Sequence, residues 1–314
     1  MGYIMKYKLC KMIFSTPVHF GEGRLGKTTN TFMADRLFSA LYIEAIKCGA
    51  ETAEKLYTLT KEGKLLFSDG MPYIGEHYYI PKPVIRVAND GESSSILKKA
   101  FKKLSYIPLD RIDDYVCGKL DPQEENHRLK ELGKYSIAEK AAVRTGGEDA
   151  LPFAVGIFSF CNDSSLYFIL GYDNDETLDF VQKLIVMLGY TGIGGKVSSG
   201  SGKFSVEICD ISKDTEQRLM GEYERYITLS VSMAKDSELK KAVEGAGYMM
   251  IKRSGFVSSH TYAETNRKKK ELYCFTSGSC FTNRFEGDIF DLAIGGSHSV
   301  YRYAKPIFMG VDLP

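Results

Sequence analysis

Residues 153–209 read FAVGIFSFCNDSSLYFILGYDNDETLDFVQKLIVMLGYTGIGGKVSSGSGKFSVEIC. Residues 153–160 and 166–172 are apolar runs of strand length, and Asn162-Asp163-Ser164-Ser165 between them is turn chemistry, so the segment predicts a hairpin. Asp173-Asn174-Asp175 offers side-chain oxygens to the unpaired N–H groups of a helix start. Leu178, Val181, Leu184, Ile185 and Leu188 share one stripe and predict a helix over 176–188, ended by Gly189. After a glycine-rich run, residues 204–209 return to strand character. The expected order here is strand, strand, helix, strand.

The N-terminal part supplies the missing half. Residues 3–15 read as a strand with Tyr7, Leu9 and Ile13 on one face and lysines mainly on the other. Met33, Leu37, Phe38, Leu41, Ala45 and Ile46 recur at helical spacing over 33–48. Between them lies Pro17-Val18-His19-Phe20-Gly21-Glu22-Gly23, a loop followed by Arg24 and Lys27. Residues 50–150 are mixed, with turns at Asp69-Gly70, Asn89-Asp90-Gly91 and Gly146-Gly147, and read as an insertion. The fold class expected is α+β: βαββαβ, the ferredoxin-like order shared by RNA-recognition domains, over residues 1–212. Residues 222–314 read as a second, degenerate ferredoxin-like domain, with strands over 226–233, 247–252, 271–276 and 301–309 and a short helix over 237–244.

Composition narrows the class. The chain has 314 residues, 44% hydrophobic and 26% charged, with a net charge of +1. That is ordinary for a globular protein and leaves any nucleic-acid surface to local patches. Residues 1–50 hold seven Lys and Arg against three acids, and residues 251–271 hold six against two, a local +4 in each. Residues 110–126 hold six acids against two basics, a local −4 expected on a protein-facing side. The seven cysteines are scattered without a CxxC, so free thiols, a reducing cytoplasm and no metal site are expected. Lysines interrupt the N-terminal apolar runs and no apolar stretch reaches membrane length, so neither a signal peptide nor a membrane partner is expected.

In GYTGIGGKVSSGSG, residues 189–202, six of fourteen residues are glycine and three are serine, and Lys196 is the single charge before Lys203. Three phosphate-loop templates fail. A Walker A loop puts lysine where Ser201 stands, a dinucleotide fingerprint puts glycine where Val197 stands, and GxSxG does not occur. Both nucleotide loops also run from strand to helix, whereas this one runs from helix to strand. What remains is backbone N–H groups, hydroxyls and two lysines suited to an extended sugar–phosphate chain. The loop residues in that reading are Gly192, Gly194, Gly195, Lys196, Ser198, Ser199, Gly200, Ser201 and Lys203. No nucleotide or other cofactor is expected.

IGGKVSSGSGKF, residues 193–204, resembles the glycine-rich loop of the RAMP superfamily of CRISPR proteins. STPVHFGEGRLGKTTNTFMADRLFSAL, residues 15–41, is similar to the N-terminal segment of subunit 4 of the Csm family, a component of type III-A effector complexes. GGSHSVYRYAKPIFMGV, residues 295–311, resembles that family's C-terminal ending. The resemblance implies a non-catalytic scaffold in antiviral defence that holds the 5′ repeat-derived tag of the crRNA. It further implies that the scaffold joins a large polymerase/nuclease subunit to the backbone RAMP subunit. It implies a thumb hairpin at the guide–target duplex, near target RNA; the best segment is AEKAAVRTGGEDALP, residues 138–152, with Lys140 an RNA-binding candidate and Arg144 and Thr145 either on the guide backbone or at a solvated hairpin tip. The HD and GGDD motifs of the large subunit are absent from this sequence.

Individual residues read two ways. His19 is either a loop histidine hydrogen-bonded to RNA or the adjacent turn, or the general base of a crRNA-processing endoribonuclease of the same superfamily, the alternative function; His260 and His298 reach it only through folding. Asp35 is an early-helix acid favoured by the helix dipole, with Arg36 solvated or on phosphate. Arg253-Ser254-Gly255-Phe256 combines charge, free backbone and a stacking ring, as single-stranded RNA recognition does, and a turn explains it as well. Lys268-Lys269-Lys270 reads as a solvated face or an RNA contact. Tyr301 and Tyr303 read as sheet packing, and His298 and Arg302 as the border of the tag pocket.

Overall fold

The structure, a computed structural model, describes residues 4–21, 23–85, 95–142, 151–257, 259, 261–265 and 267–313. Its principal elements in chain order are β1 Lys6–Phe14, α1 Ala34–Cys48, α2 Ala50–Lys61, β2 Leu65–Phe67, β3 Met71–Ile74, β4 His77–Pro81, β5 Tyr106–Pro108, β6 Gly133–Ala142, β7 Leu151–Phe160, β8 Ser164–Tyr172, α3 Asp175–Thr191 and β9 Phe204–Cys209. The C-terminal part carries β10 Arg225–Thr228, α4 Asp236–Ala242, β11 Met250–Arg253, β12 Leu272–Phe275, β13 Cys280–Phe281, β14 Asp288–Asp291, β15 Tyr301–Ala304 and β16 Phe308–Val311.

The fold is mixed α and β with antiparallel pairing. A seven-stranded sheet runs β9-β1-β8-β3-β4-β5, with β2 also on β8. Strand β8 is buried along its whole length because both sheet faces are covered. Leu166, Phe168 and Leu170 join Cys10 and Met12 beneath α1 and α3, around Leu37, Leu41, Val181 and Ile185. Tyr167 and Ile169 point the other way, into a core completed by Leu229, Ile307, Met309 and Val311 from the C-terminal part. The helix α3 starts as its sequence predicts, with Asn174 accepting a hydrogen bond from the Thr177 N–H at 3.0 Å.

Several expectations are corrected. Residues 153–160 do not pair with 166–172: one edge of β8 is taken by β1 and the other by β2 and β3, so β7 finds no place in the sheet. It pairs instead along ten residues with β6, making a hairpin that begins at Gly133, well before residue 138. The hairpin tip, with Arg144 and Thr145, lies outside the described residues. Residues 50–150 are not all insertion, since Leu65, Phe67, Met71, Tyr73 and Ile107 are core residues of the sheet and its packing. They escape a periodicity search because Pro72, Gly70 and Gly75 cut the apolar run into short strands. On β1 the helix-facing side is Cys10 and Met12, while Ile13 is exposed.

Gly189 does not end its helix. It lies inside α3, where a Cβ would come within 2.4 Å of the Phe204 carbonyl oxygen, so it permits close helix–strand packing. The C-terminal ending is two strands, β15 and β16, separated at Lys305-Pro306-Ile307, and residues 229–233 continue β10 as irregular chain. The C-terminal part forms a three-stranded sheet, β13-β10-β16, and the paired strands β11–β12 and β14–β15. All seven cysteines are free. Among the described residues no helix is long and apolar enough to cross a membrane.

Candidate nucleic-acid interface

One side of the glycine loop is stitched to residues 15–20. The Gly195 N–H donates to the His19 carbonyl at 2.8 Å, the Gly202 N–H to the Pro17 carbonyl at 2.9 Å, and the Lys203 N–H to Thr16 Oγ1 at 2.9 Å. Gly194 has φ +105°, and a Cβ there would stand 2.8 Å from the His19 carbonyl oxygen. The space that this glycine leaves open is taken by the chain's own backbone. Gly192 is buried as the residue after α3, its N–H donating to the Leu188 carbonyl, so it is not a surface for RNA. The open side runs from Lys196 to Lys203. Ser198, Ser199 and Lys203 are exposed, and at Gly200, with φ +83°, a Cβ would meet no atom within 4 Å.

His19 is buried at the centre of this junction. Its Nδ1 lies 2.6 Å from the Gly156 carbonyl oxygen of β7, which only accepts, so Nδ1 carries the proton in the neutral ring. The Nε2 edge packs on Gly21, where a Cβ would come within 2.9 Å of it, and the ring also abuts Gly195. The Gly156 N–H donates to the Leu25 carbonyl at 3.0 Å, seating the Arg24–Lys27 loop on the hairpin base with both cations exposed. Arg36 folds back: its Nη2 donates to the Gly21 carbonyl at 3.3 Å and its guanidinium lies 5.6 Å from the Phe20 ring centre. Lys196 Nζ sits 4.9 Å over the Phe153 ring, and Phe153 is the cross-strand partner of Lys140. Sequence spacing carries no sign of the contact between Lys196 and Phe153. Among the described residues, no ion pair is formed by Arg24, Lys27, Lys140, Lys196 or Lys203.

Next to the junction is an open cleft of about 610 Å³ between residues 21–36 and residues 251–255, lined by Arg36, Tyr106, Lys252, Arg253 and Ser254. Beneath it sits an ionic cluster absent from the sequence reading. Arg253 grips Asp35 with both arms, Nε to Oδ2 at 2.9 Å and Nη2 to Oδ1 at 2.8 Å, and Arg302 Nη1 also donates to Oδ2. Asp35 is 1% exposed and Arg302 6%, so the arginine expected at the border of a tag pocket is spent on an internal carboxylate. Asp35 is in the first turn of α1, as expected, and is buried there. Burial pushes its carboxyl up, and the two guanidinium groups outweigh this and hold it below the ordinary value.

A second buried acid, Asp69, does the capping that Met33 lacks a side chain to do. Its Oδ1 accepts from the Ala34 N–H at 2.8 Å and the Val231 N–H at 2.9 Å, tying the start of α1 to the C-terminal part. Burial raises this carboxyl to about 6, against the pull of those N–H groups. Lys269 is pushed down to about 8 by burial and by the neighbouring arginines. No local pattern marks Asp69 as a cap, because its partners are 35 and 162 residues away.

The remaining predicted residues are elsewhere. His298 is exposed in the 295–299 loop, bonded to Ser259 Oγ and the Ser299 carbonyl and edge-on to Tyr262, and it does not approach His19 through any contact described. Ser254 and Phe256 are exposed beyond β11, and Lys268 lies over the Phe256 ring. Ser201 is half-buried at the loop's return. Among the described residues no set of His, Cys, Asp and Glu is arranged to hold a metal ion.

The sequence matches the family described as CRISPR Csm4 C-terminal domain over residues 221–311. It is 35% identical over 293 residues to the CRISPR system Cms protein Csm4 of Mycobacterium tuberculosis, covering 93% of this chain and 94% of that one. With the Csm4 protein of Streptococcus thermophilus it shares 33% over 319 residues, 98% of this chain and all of the other. A chain of the Csm3-Csm4 subcomplex of a type III-A CRISPR-Cas interference complex superposes with TM-score 0.64 at 20% identity, over 97% of this chain and 99% of that one. A chain of the Csm1-Csm4 cassette in complex with cA4 gives the same TM-score at 19% identity, covering 98% and 99%. Those solved structures share the fold, and the sequence identity sustained from end to end decides the family: the chain belongs to the Csm4 family of CRISPR proteins.

Proposed function

We propose that the chain is a non-catalytic, crRNA-binding scaffold subunit of a type III-A complex, holding the 5′ tag of the crRNA. In this reading it bridges a large polymerase/nuclease subunit and a backbone subunit, partners suggested by relatives solved with Csm1 and with Csm3. The observation that carries it is the junction around His19. Three segments far apart in sequence (the 24–27 loop, the base of the β6–β7 hairpin and the glycine loop) are locked together there, and they bring Arg24, Lys27, Lys140, Lys196 and Lys203 to one region. A phosphate chain is the ligand such a set of cations and exposed hydroxyls serves. The β6–β7 hairpin is the thumb of this proposal, directed to the guide–target duplex.

Part of the same proposal is the fold in finer terms. β1, α1, β2–β3, β8, α3 and β9 follow the ferredoxin-like order, with the strands arranged β9-β1-β8-β3, and helix Lys213–Met220 marks the passage from residues 1–212 to residues 222–314. His19 supports a structural role over that of a general base, since its ring is buried and its Nδ1 is committed to a carbonyl.

The test is binding of tag RNA over a salt series by the purified subunit and by a Lys196→Gln/Lys203→Gln variant. Losing both lysines should weaken binding and flatten the logarithmic salt slope by about 1.4, at about 0.7 per phosphate contact on a single strand. An unchanged slope counts against the loop as a phosphate site. Specific metal-independent cleavage of repeat RNA, abolished by His19→Ala, would overturn the scaffold reading.

A further inference from the structure

Strands β11 and β12 form a ribbon that continues past their paired residues. Arg253 is opposite Leu272, the Lys269 N–H donates to the Gly255 carbonyl at 3.1 Å, Phe256 bridges Lys268, and the Val257 N–H donates to the Arg267 carbonyl at 2.9 Å. Residues 269–271 face only Ser254 and Gly255, so the second strand carries one extra residue, a bulge. Side chains alternate across such a ribbon. The inner face holds Ile251 and Leu272 on the main core, Arg253 on Asp35, and the buried Cys274. The ribbon is therefore anchored through its inner face and, at the Met250 end, by Phe275, the cross-strand partner of Met250, which is buried among Phe281 and Phe285.

The outer face presents Met250, Lys252, Ser254 and Phe256 from one strand and Lys268 and Tyr273 from the other, all exposed. Phe256 is 57% exposed and Tyr273 54%. Each ring has a cation beside it: Lys268 Nζ is 5.7 Å from the Phe256 ring centre, and Lys252 is the cross-strand partner of Tyr273. The Lys252 ion pair with Glu271, at 2.7 Å, is solvent-exposed on both sides and so is readily exchanged for another anion. Residues 251–255 also line the cleft that adjoins the His19 junction, making the ribbon continuous with the proposed RNA site.

Large bare rings separated by cations are not a dry protein-docking patch, which would exclude the lysines from its centre. They match what unpaired nucleic acid requires: a flat π-surface for each base and a positive charge for the phosphate between. We infer that the outer face of this ribbon is a stacking platform for single-stranded RNA. Phe256 and Tyr273 each take a base, and Lys268 and Lys252 take the adjoining phosphates. The inference rests on the reading of the chain as an RNA-binding subunit and extends it to a surface on the C-terminal part, beyond the glycine loop.

The experiment uses the full chain and a short fluorescent single-stranded RNA, alone and annealed to its complement, with anisotropy read over a potassium chloride series. Phe256→Ala and Tyr273→Ala should each weaken single-strand binding by about 5- to 150-fold with the salt slope unchanged, because stacking releases no counterion. Phe256→Trp should bind as tightly as the parent, and duplex binding should not respond to the alanine changes. Lys252→Gln with Lys268→Gln should lower the slope by about 1.4. All four side chains are exposed, and an unchanged unfolding midpoint confirms that each variant is folded. If the alanine variants bind like the parent while Lys196→Gln/Lys203→Gln binds weakly, the platform is overturned and the scaffold function stands. If the alanine variants keep RNA and lose a copurifying subunit, the face is a protein surface and the inference fails. A parent chain that binds no RNA overturns both readings.

Discussion

Replacing Asp35 by asparagine tests whether the buried cluster clamps α1 to the C-terminal strands. The carboxylate receives three hydrogen bonds from two arginines, and the substitution leaves the buried Arg302 and the partly buried Arg253 without a counter-charge, beside the partly buried Lys269. Breaking one partner out of a buried ion cluster costs about 3–5 kcal/mol. Asparagine preserves shape and one acceptor, so a loss near the lower end, about 3 kcal/mol, is expected. At about 2–4 °C per kcal/mol for a chain of this order of size, the thermal midpoint should fall by about 6–12 °C. The pH dependence has a definite sign. The folded carboxyl lies below its ordinary value, so its contribution is fully present above the unfolded pKa of about 3.9 and is lost as pH falls through the lower folded value. Calorimetric midpoints of parent and variant should differ by a constant amount at neutral pH and converge in acid. A control variant, Asp35→Leu/Arg253→Met/Arg302→Leu, removes all three charges and should recover much of the loss. A midpoint shift under about 2 °C for Asp35→Asn, against the expected scale, would refute the argument.

Asp69 has the opposite sign. Its carboxyl is raised to about 6, so ionising it in the fold costs about 3 kcal/mol, and stability should decline as pH rises through about 4 to 6. Asp69→Asn keeps the Oδ1 acceptor for Ala34 and Val231; urea titrations should show that decline flattened with no loss at pH above neutrality, and a large loss there would count against it. Gly200→Ala, at positive φ in open space, should cost about 1 kcal/mol, while Gly194→Ala adds collision with the His19 carbonyl and should cost more. Thermal shifts in the reverse order would contradict the packing described. Tyr303 Oη accepts from the Phe67 N–H at 2.9 Å and donates to the Phe67 carbonyl at 3.1 Å, both buried. Tyr303→Phe leaves two buried backbone groups unpaired and should destabilise by about 2–4 kcal/mol in denaturant unfolding, with under about 1 kcal/mol arguing that water reaches the site.

The helices α1 and α3 were legible because their signals are local, whereas α2 and the helix Lys213–Met220 were not read from the sequence. The stripe Val181, Leu184, Ile185, Leu188 and the cap at Asn174 lie within a few turns, and they recur in the structure as a core face and a hydrogen-bonded cap. Strand existence was legible at 6–14, 164–172 and 204–209 for the same reason. Strand pairing was not. Residues 153–160 have the apolar character of a core strand and a turn that leads into β8, but whether β8 has a free edge depends on residues 6–12 and 65–74. The candidate site divides in the same way. The glycine loop stood out by composition and topology, yet which of its glycines face solvent and which face His19 is a matter of packing.

The sequence by itself determined most of the periodic elements, the mismatch of the glycine loop to the Walker A and dinucleotide templates, and the family, through three segments spread from residue 15 to residue 311. Only the tertiary structure decided that Arg302 and Arg253 serve Asp35, that His19 gives its Nδ1 to Gly156, and that Phe256 and Tyr273 are left bare beside lysines. The physical reason is range. Helix stripes and caps act over neighbouring residues, whereas burial and charge pairing join positions 137 to 267 residues apart, whose separation in space no local pattern encodes.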